Sequence, residues 1–290
     1  MPADQGPVVQ SALLWRELAR LRRERELTHA QVAAALGWSP YRLIKIEGGH
    51  GTITTADLDA LLAHYGITEA TTVELFRARQ RSARERAWWD SYAGRVNPAY
   101  LEYVGYEAGA ASIRQFQNSL VPGLLQTSRY ADVVTNVGAA DARWVTPVAE
   151  LRFERQSHLA SRSEPPRQLF VIDEAVIRRH VGISQDPAIM PDQLRSIARQ
   201  AEQDTLVTVR VIPFGAGAHP GLFGPFTLLG FSEGLPDILY RDPGRGIFEL
   251  AIGDQPQVSE HVADFQALLE SALGPDESVQ LIQAVAEQMS

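Results

Sequence analysis

One short predicted helix carries side chains on its outward face that can bind a nucleic acid. Leu43 and Ile46 are spaced as an inward-facing pair, so the residues around them point outward. The first residues of such a helix can face base edges, a branched apolar side chain can touch a thymine methyl group, and basic side chains can hold phosphates or reach guanine. The candidate DNA-binding residues on this helix are Ser39, Pro40, Tyr41, Arg42, Ile44 and Lys45.

Plainer alternatives exist for these residues. Ile44 can pack against a neighbouring helix instead of a base, and Arg42 and Lys45 can simply be solvated, as basic residues on helices usually are. Lys45 is nevertheless conspicuous, because it is the only lysine among the 27 basic residues of the chain.

Local signals predict two short helices joined by a tight turn around these residues. Thr28 and Gln31 have the spacing of a capping box at the start of the first helix. Gly37 suits the left-handed position that ends it. Ser39 is a preferred cap for the second helix, and Pro40 fits its first position, where a backbone N–H is not needed.

The spacing of these residues resembles the helix-turn-helix of the Cro and phage-repressor family, often called XRE. Counting from His29 as the first position, that family has a small residue fifth, a glycine ninth, and apolar residues fifteenth and eighteenth. The corresponding residues here are Ala33, Gly37, Leu43 and Ile46. The resemblance implies a sequence-specific transcriptional regulator that binds duplex DNA, whereas an ordinary helical hairpin is the alternative with the same packing.

His29 departs from the glutamine that is common at the first position of this family. Glutamine can bind adenine through two hydrogen bonds and histidine cannot, so we expect His29 to contact a phosphate near the helix N-terminus. One such motif presents a small surface. We therefore expect a homodimer on a near-palindromic site, with half-sites about 34–36 Å apart.

Length and charge favour two domains in this chain of 290 residues. Residues 1–86 contain 12 basic and 10 acidic residues, whereas residues 87–290 contain 15 and 25. We predict a helix-turn-helix DNA-binding domain with a linker helix over 1–86 and a regulatory domain over 87–290, which binds an effector or a partner. The slightly basic first part and the acidic second part agree with this division.

Several classes of protein are disfavoured by composition. The chain has no cysteine, which excludes disulfides and thiolate metal sites. It has no apolar run long enough to cross a bilayer and no N-terminus of the secretory kind. The seven histidines are scattered. We therefore expect a cytoplasmic protein without a membrane partner, a metal or a cofactor.

The pattern of the second domain changes from helical to strand-like along the chain. Residues 101–118 are predicted to be helical, and further helices follow. Strand-like runs lie at 169–172, 206–214, 226–231, 237–241 and 246–252, before two closing helices. The predicted fold is a mainly α helix-turn-helix domain of about five helices, followed by an α+β domain with a mainly antiparallel sheet.

A glycine-rich loop at residues 215–225 could be a phosphate-binding loop, which would indicate an enzyme. The loop follows a strand, but its glycine spacing differs from that of a dinucleotide-binding motif, and its prolines prevent a helix from starting there. The sequence also has no motif of a serine hydrolase or a zinc protease. We therefore expect that the protein is not an enzyme.

The same loop carries the candidate effector- or partner-binding residues His219, Leu222 and Phe223. One interpretation is that the two apolar side chains plug the end of the domain core. In that case Phe223 would behave as a core residue. The other interpretation is that they form the lip of a binding site with His219 as its polar group.

Parts of the second domain resemble the C-terminal domain of antitoxin-like regulators of high-GC bacteria, next to which a small toxin-like protein is often encoded. The resemblance is carried by residues 121–127 with Tyr130, residues 152–156 and residues 211–226. It implies a small protein partner, while a small-molecule effector is the other hypothesis for this domain. An antitoxin that mainly sequesters its partner, or an enzyme with an appended DNA-binding module, remain as alternatives.

Overall fold

The computed structural model describes residues 5–49, 51–138, 145–232, 234–244, 247–253 and 255–290. The chain divides between Asp90 and Ser91 into two compact units. Each unit has its own hydrophobic core.

The described residues of the N-terminal unit form five helices. They are α1 (Gly6–Glu24), α2 (His29–Leu36), α3 (Pro40–Glu47), α4 (Thr55–His64) and α5 (Ala70–Ser82). A short 3₁₀ helix at Trp88–Tyr92 follows. The core collects one apolar stripe from each helix, including Leu14, Leu18, Val32, Leu43, Ile46, Leu58, Leu61, Tyr65 and Phe76.

The caps around α2 and α3 have the predicted geometry. The Thr28 hydroxyl accepts from the Gln31 N–H at 3.2 Å, and the Gln31 side chain accepts from the Thr28 N–H at 2.8 Å. Gly37 ends α2 with a φ of 69°, in the left-handed region that favours glycine. The Ser39 hydroxyl accepts from the Arg42 N–H at the start of α3. The predicted helix-turn-helix is therefore confirmed.

The described part of the C-terminal unit combines seven helices with six strands. The helices are α6 (Pro98–Ala108), α7 (Ser128–Gly138), α8 (Val145–Ala160), α9 (Glu174–Arg178), α10 (Ile189–Gln203), α11 (Pro256–Ser271) and α12 (Pro275–Gln288). The strands are β1 (Ser112–Gln117), β2 (Arg167–Asp173), β3 (Val207–Ile212), β4 (Phe226–Gly230), β5 (Ile238–Gly244) and β6 (Ile247–Ile252).

These strands form one mixed sheet in the order β3-β2-β1-β4-β5-β6. Strand β2 is parallel to both β1 and β3. The pairs β1–β4, β4–β5 and β5–β6 are antiparallel. The predicted α+β class is confirmed, and antiparallel pairs outnumber parallel ones by three to two among the described strands.

The helix predicted over residues 101–118 is wrong in its second half. Helix α6 ends at Ala108, and β1 is a central strand of the sheet. Ile113 and Phe116 have helical spacing, and both are fully buried. On a strand, residues three apart point to opposite faces, so both are buried only because the sheet is covered on both sides. Such a strand lacks the alternation that would have identified it.

The strand order also determines the path of the glycine-rich loop. Strand β3 lies at one edge of the sheet and β4 lies beyond β2 and β1, so the connection between β3 and β4 must pass the ends of both. The connection starts where β3 ends, on the side of the sheet where the C-terminal ends of the parallel strands β1 and β2 also lie.

Among the described residues, no helix is long and apolar enough to span a membrane.

Candidate functional site

The outward face of α3 is open to solvent. The side chains of Leu43 and Ile46 are buried, while Tyr41 is 64% exposed and Ile44 is 49% exposed. Lys45 is exposed beside them. The alternative in which Ile44 packs against a neighbouring helix therefore does not hold. An exposed tyrosine next to an exposed isoleucine on a short helix is a surface suited to apolar and edge contacts with bases.

Lys45 and Tyr41 form a pair on this face. The Lys45 ammonium lies 5.0 Å from the centroid of the Tyr41 ring, which is a cation–π distance. Within the described part of the chain, Lys45 has no carboxylate partner. The positive charge in the last turn of α3 is therefore not neutralised by an ion pair and is available to a phosphate.

Arg42, in contrast, is bound within the protein. Its guanidinium donates to the Asp57 carboxylate at 2.6 Å and lies over the Trp38 ring at 4.4 Å. The same carboxylate accepts from the Thr54 hydroxyl at 2.6 Å. Hydrogen bonds from Thr54 and then from Arg42 hold the pKa of Asp57 below its ordinary value. Arg42 thus ties α3 to the start of α4, and a phosphate contact would have to share its guanidinium with Asp57.

His29 is also held by a carboxylate. Its Nε2 lies 3.0 Å from an oxygen of Glu47 at the end of α3. Arg22 of α1 donates to both oxygens of Glu47, through Nε and Nη2 at 2.8 Å each. The resulting network joins α1, α2 and α3. The predicted phosphate contact of His29 stays a prediction, and Nδ1 is the ring nitrogen left for it.

Most other cations of this unit also have internal partners. Arg20 is paired with Glu17 and Glu24, Arg77 with Asp59, and Arg81 with Glu74. Ser39 and Pro40 are exposed but serve first as the cap and first residue of α3. The surface that remains for DNA is therefore compact and centred on Tyr41, Ile44 and Lys45.

Sequence reasoning missed the partners Arg22, Glu47 and Asp57. A signal existed for Glu47, because a carboxylate in the last turn of a helix is unfavourable beside the negative end of the helix dipole. Such a residue needs a compensating cation. The partner itself could not be identified, since Arg22 lies 25 positions away.

In the C-terminal unit, the loop between β3 and β4 is fixed at the ends of β1 and β2. His219 is buried, and its Nε2 lies 3.2 Å from the Asp173 carboxylate at the end of β2. Its ring packs edge-on against Phe116 of β1, with 5.9 Å between centroids. A Cβ at Gly221 would lie 2.1 Å from the Phe116 ring, so only glycine permits this close approach.

Leu222 and Phe223 point to solvent, unlike His219 of the same loop. Phe223 is 97% exposed, and Leu222 and Phe214 are exposed as well. The interpretation in which Leu222 and Phe223 plug the domain core is therefore wrong, because the loop has inserted His219 instead. We call the exposed set Phe214, Leu222 and Phe223 the apolar loop patch. The structure does not bring His219 to the surface of this patch.

The Asp173–His219 pair acts as an anchor for the loop. The second oxygen of Asp173 accepts from the Ala175 N–H at 2.8 Å and caps α9. His219 Nδ1 has no hydrogen-bond partner among the described residues, so the pair does not continue to a hydroxyl nucleophile. The described part of the chain also has no group of three or more His, Asp or Glu residues that could hold a metal ion.

Two of the runs that resemble antitoxin-like regulators contact each other. Arg152 of α8 donates to the Gln126 side chain at 3.0 Å. The Gln156 side chain donates to the backbone carbonyls of Gly123 and Gln126 at 2.9 and 3.1 Å. Arg152 and Gln156 thus attach the turn at residues 123–126 to α8, which is a structural role.

A buried ion pair lies next to this contact. Arg155 donates to both oxygens of Glu107, at 2.7 and 2.6 Å, and lies against the rings of Tyr100 and Tyr103. Burial raises the pKa of Tyr103 well above its ordinary value, and the neighbouring Glu107 carboxylate adds to this shift. The cluster joins α6 to α8 inside the core and has no exposed face.

Comparison with known families agrees with this arrangement. Residues 14–75, which run from α1 into α5, match a Helix-turn-helix domain. The match supports a DNA-binding regulator of the XRE-like kind. Residues 100–284 match the Domain of unknown function (DUF5753), and the chain belongs to this family. No curated protein and no solved structure matches the chain.

Proposed function

We propose that this protein is a sequence-specific transcriptional regulator that binds operator DNA as a homodimer through α3. The observation that carries the proposal is the open face of α3, where Tyr41, Ile44 and the unneutralised Lys45 lie together. A helix of this size reads few base pairs, so two copies on a near-palindromic site supply the specificity. The regulator acts in the cytoplasm, where its DNA target is.

A mobility-shift assay against the promoter region of its own gene tests this proposal. We expect a specific shift at sub-micromolar protein and low salt, which weakens steeply as salt rises because phosphate contacts release counterions. A dimer should leave a two-fold symmetric footprint with half-sites about one helical turn apart. Equal binding to unrelated DNA of the same length would contradict sequence-specific recognition.

We further propose that the C-terminal unit receives its signal by binding a small protein. The apolar loop patch favours this over a small-molecule effector at the same place, because one loop exposes three large apolar side chains, of which Leu222 and Phe223 are adjacent in the chain, and exposed apolar surface marks protein interaction sites. The loop is anchored by His219 and Asp173, so the patch is presented on a fixed backbone. A toxin-like protein that this chain sequesters is one partner that fits this proposal.

Co-expression with the product of the adjacent gene tests the partner. We expect the two proteins to co-purify, and Phe223→Ser to abolish the complex while the variant keeps its melting temperature. Val137→Ser is the matched control, since Val137 is also an exposed apolar residue but lies on α7, outside the patch. Complex formation that is equally strong in both variants would refute the assignment to the loop.

We infer that the chain acts by binding and not by catalysis. In support, the Asp173–His219 pair is committed to anchoring the loop, and its remaining ring nitrogen is enclosed. An enzymatic role at this pair would require a substrate to reach a buried imidazole. A His219→Gln variant that binds DNA and partner normally but loses a measurable turnover would overturn the inference.

A further inference from the structure

A groove of about 560 Å³ lies between α7, α10 and α12 of the C-terminal unit. Its floor includes the apolar side chains of Ile189 and Ala198. Three arginines line it, namely Arg129 of α7 and Arg195 and Arg199 of α10. This volume lies within the range of about 300–1,000 Å³ that is usual for small-molecule sites.

The groove is positively charged within an otherwise acidic unit. Asp192 is its one lining carboxylate among the described residues, against three guanidinium groups. Residues 87–290 as a whole have 25 acidic and only 15 basic side chains. Three arginines directed at one concavity are therefore a local exception to the charge of the unit.

Two of these arginines are held in place by carboxylates. Arg195 donates to Asp192 at 3.1 Å, and Arg129 lies 3.4 Å from the same side chain. Arg129 also pairs with Asp186, outside the groove. These contacts orient the two guanidinium groups, and the two carboxylates balance their two charges, so the excess positive charge of the groove is that of Arg199.

Arg199 has no such partner. It lies one helical turn beyond Arg195 on α10, and in the part of the chain that the structure describes its side chain makes neither a hydrogen bond nor an ion pair. Helix α7 begins at Ser128, which also lines the groove. The positive end of the α7 dipole therefore adds to the charge of the arginines.

We propose that this groove binds a small phosphorylated molecule of about nucleotide size. The phosphate would lie between Arg199, Arg129 and the start of α7, because a planar guanidinium binds phosphate oxygens in pairs. The uncharged part of the molecule would rest on Ile189 and Ala198. This inference is independent of DNA binding and of the apolar loop patch, since it concerns different residues and a different ligand.

Isothermal titration of the full-length protein tests the proposal without DNA. The probes are inorganic phosphate, adenosine, and a panel of nucleoside monophosphates and sugar phosphates at up to about 10 mM. We expect at least one phosphorylated compound of the panel to bind more tightly than inorganic phosphate, and adenosine not to bind. If no phosphorylated compound binds, or if adenosine binds as well as its monophosphate, the proposal is wrong.

Arg199→Gln should lower the affinity for the tightest probe by at least about tenfold, because it removes a charge-assisted contact. Arg167→Gln is the control, since Arg167 is an exposed arginine at the start of β2, outside the groove, and the change in charge is the same. Both variants should keep the wild-type melting temperature, because neither side chain has an internal partner among the described residues. Equal losses in the two variants would indicate general charge attraction and overturn the assignment to this groove.

Discussion

Replacing Glu47 with glutamine should destabilise the N-terminal unit strongly, because it would leave the Arg22 guanidinium without a counter-charge. The Glu47 side chain is 6% exposed and that of Arg22 is 12% exposed, so water replaces the lost interaction poorly. Removing one partner of a buried ion pair typically costs about 3–5 kcal/mol. Since Arg22 keeps its hydrogen bond to the Leu27 carbonyl, we expect a loss of about 3 kcal/mol, at the lower end of that range.

Chemical denaturation of the full chain, combined with amide hydrogen exchange resolved to α1, α2 and α3, measures this loss in the correct unit. Glu24→Gln is the control, because Glu24 also pairs with an arginine of α1 but is half exposed. That variant should change stability by less than about 1 kcal/mol. The DNA affinity of Glu47→Gln should also fall, since the side chain that orients the His29 ring loses its charge and its two-oxygen contact with Arg22.

The double variant Arg22→Met with Glu47→Leu separates charge from packing. If the cost arises from the uncompensated guanidinium, replacing both partners with apolar residues should recover much of the stability. Should Glu47→Gln prove as stable as Glu24→Gln, the buried network would not stabilise the packing of α1, α2 and α3, and the reasoning would be refuted.

Three further predictions concern exposed side chains on α3, on the loop between β3 and β4, and at the cap of α5. Tyr41→Ala should relax preference at one or two base positions by about 1–3 kcal/mol, whereas Lys45→Ala should weaken binding to all sequences evenly and reduce the salt dependence by about one phosphate contact; mobility shifts on mutated operators distinguish the two. Phe223→Ala should leave the denaturation midpoint of the full chain within about 0.5 kcal/mol of wild type, because its side chain is almost fully exposed, and a large loss would show that the loop is buried in solution. Glu69, the cap of α5, has its pKa lowered to about 2 by hydrogen bonds from Thr71 and Thr72. Because the folded-state pKa lies below the ordinary value of 4.5, the stabilisation is complete above that pH and is lost as the pH falls through about 2; the advantage of wild type over Glu69→Gln should therefore be full near pH 6 and much smaller near pH 2, as measured by thermal melting.

The helix-turn-helix could be predicted from the sequence because its determinants are local. The Thr28–Gln31 capping box, the left-handed Gly37 and the Ser39 cap each join residues three or four positions apart. The same short range determines which face of α3 is buried, so the outward direction of Tyr41 and Ile44 followed from the spacing of the apolar residues alone.

Only the tertiary structure decided which candidate residues on the outward face of α3 are available to DNA. Arg42 and Lys45 are both basic residues on one helix, yet Arg42 is bound by Asp57 from another helix and Lys45 is not. The partner lies 15 positions away. Nothing in the pattern around Arg42 distinguishes it from a solvated arginine, since ion pairing depends on which helix packs alongside.

In the C-terminal unit, too, contacts between distant segments decided features that the sequence pattern did not reveal. Helical spacing of Ile113 and Phe116 concealed a central strand, because burial on both faces of a sheet removes alternation. The glycine content of the loop between β3 and β4 indicated an irregular segment, but the sheet order decided that His219 enters the core and Phe223 faces solvent. The sequence alone determined the helices and caps of the helix-turn-helix, because their signals span a few residues. Their surroundings were decided only by packing between segments that are distant along the chain.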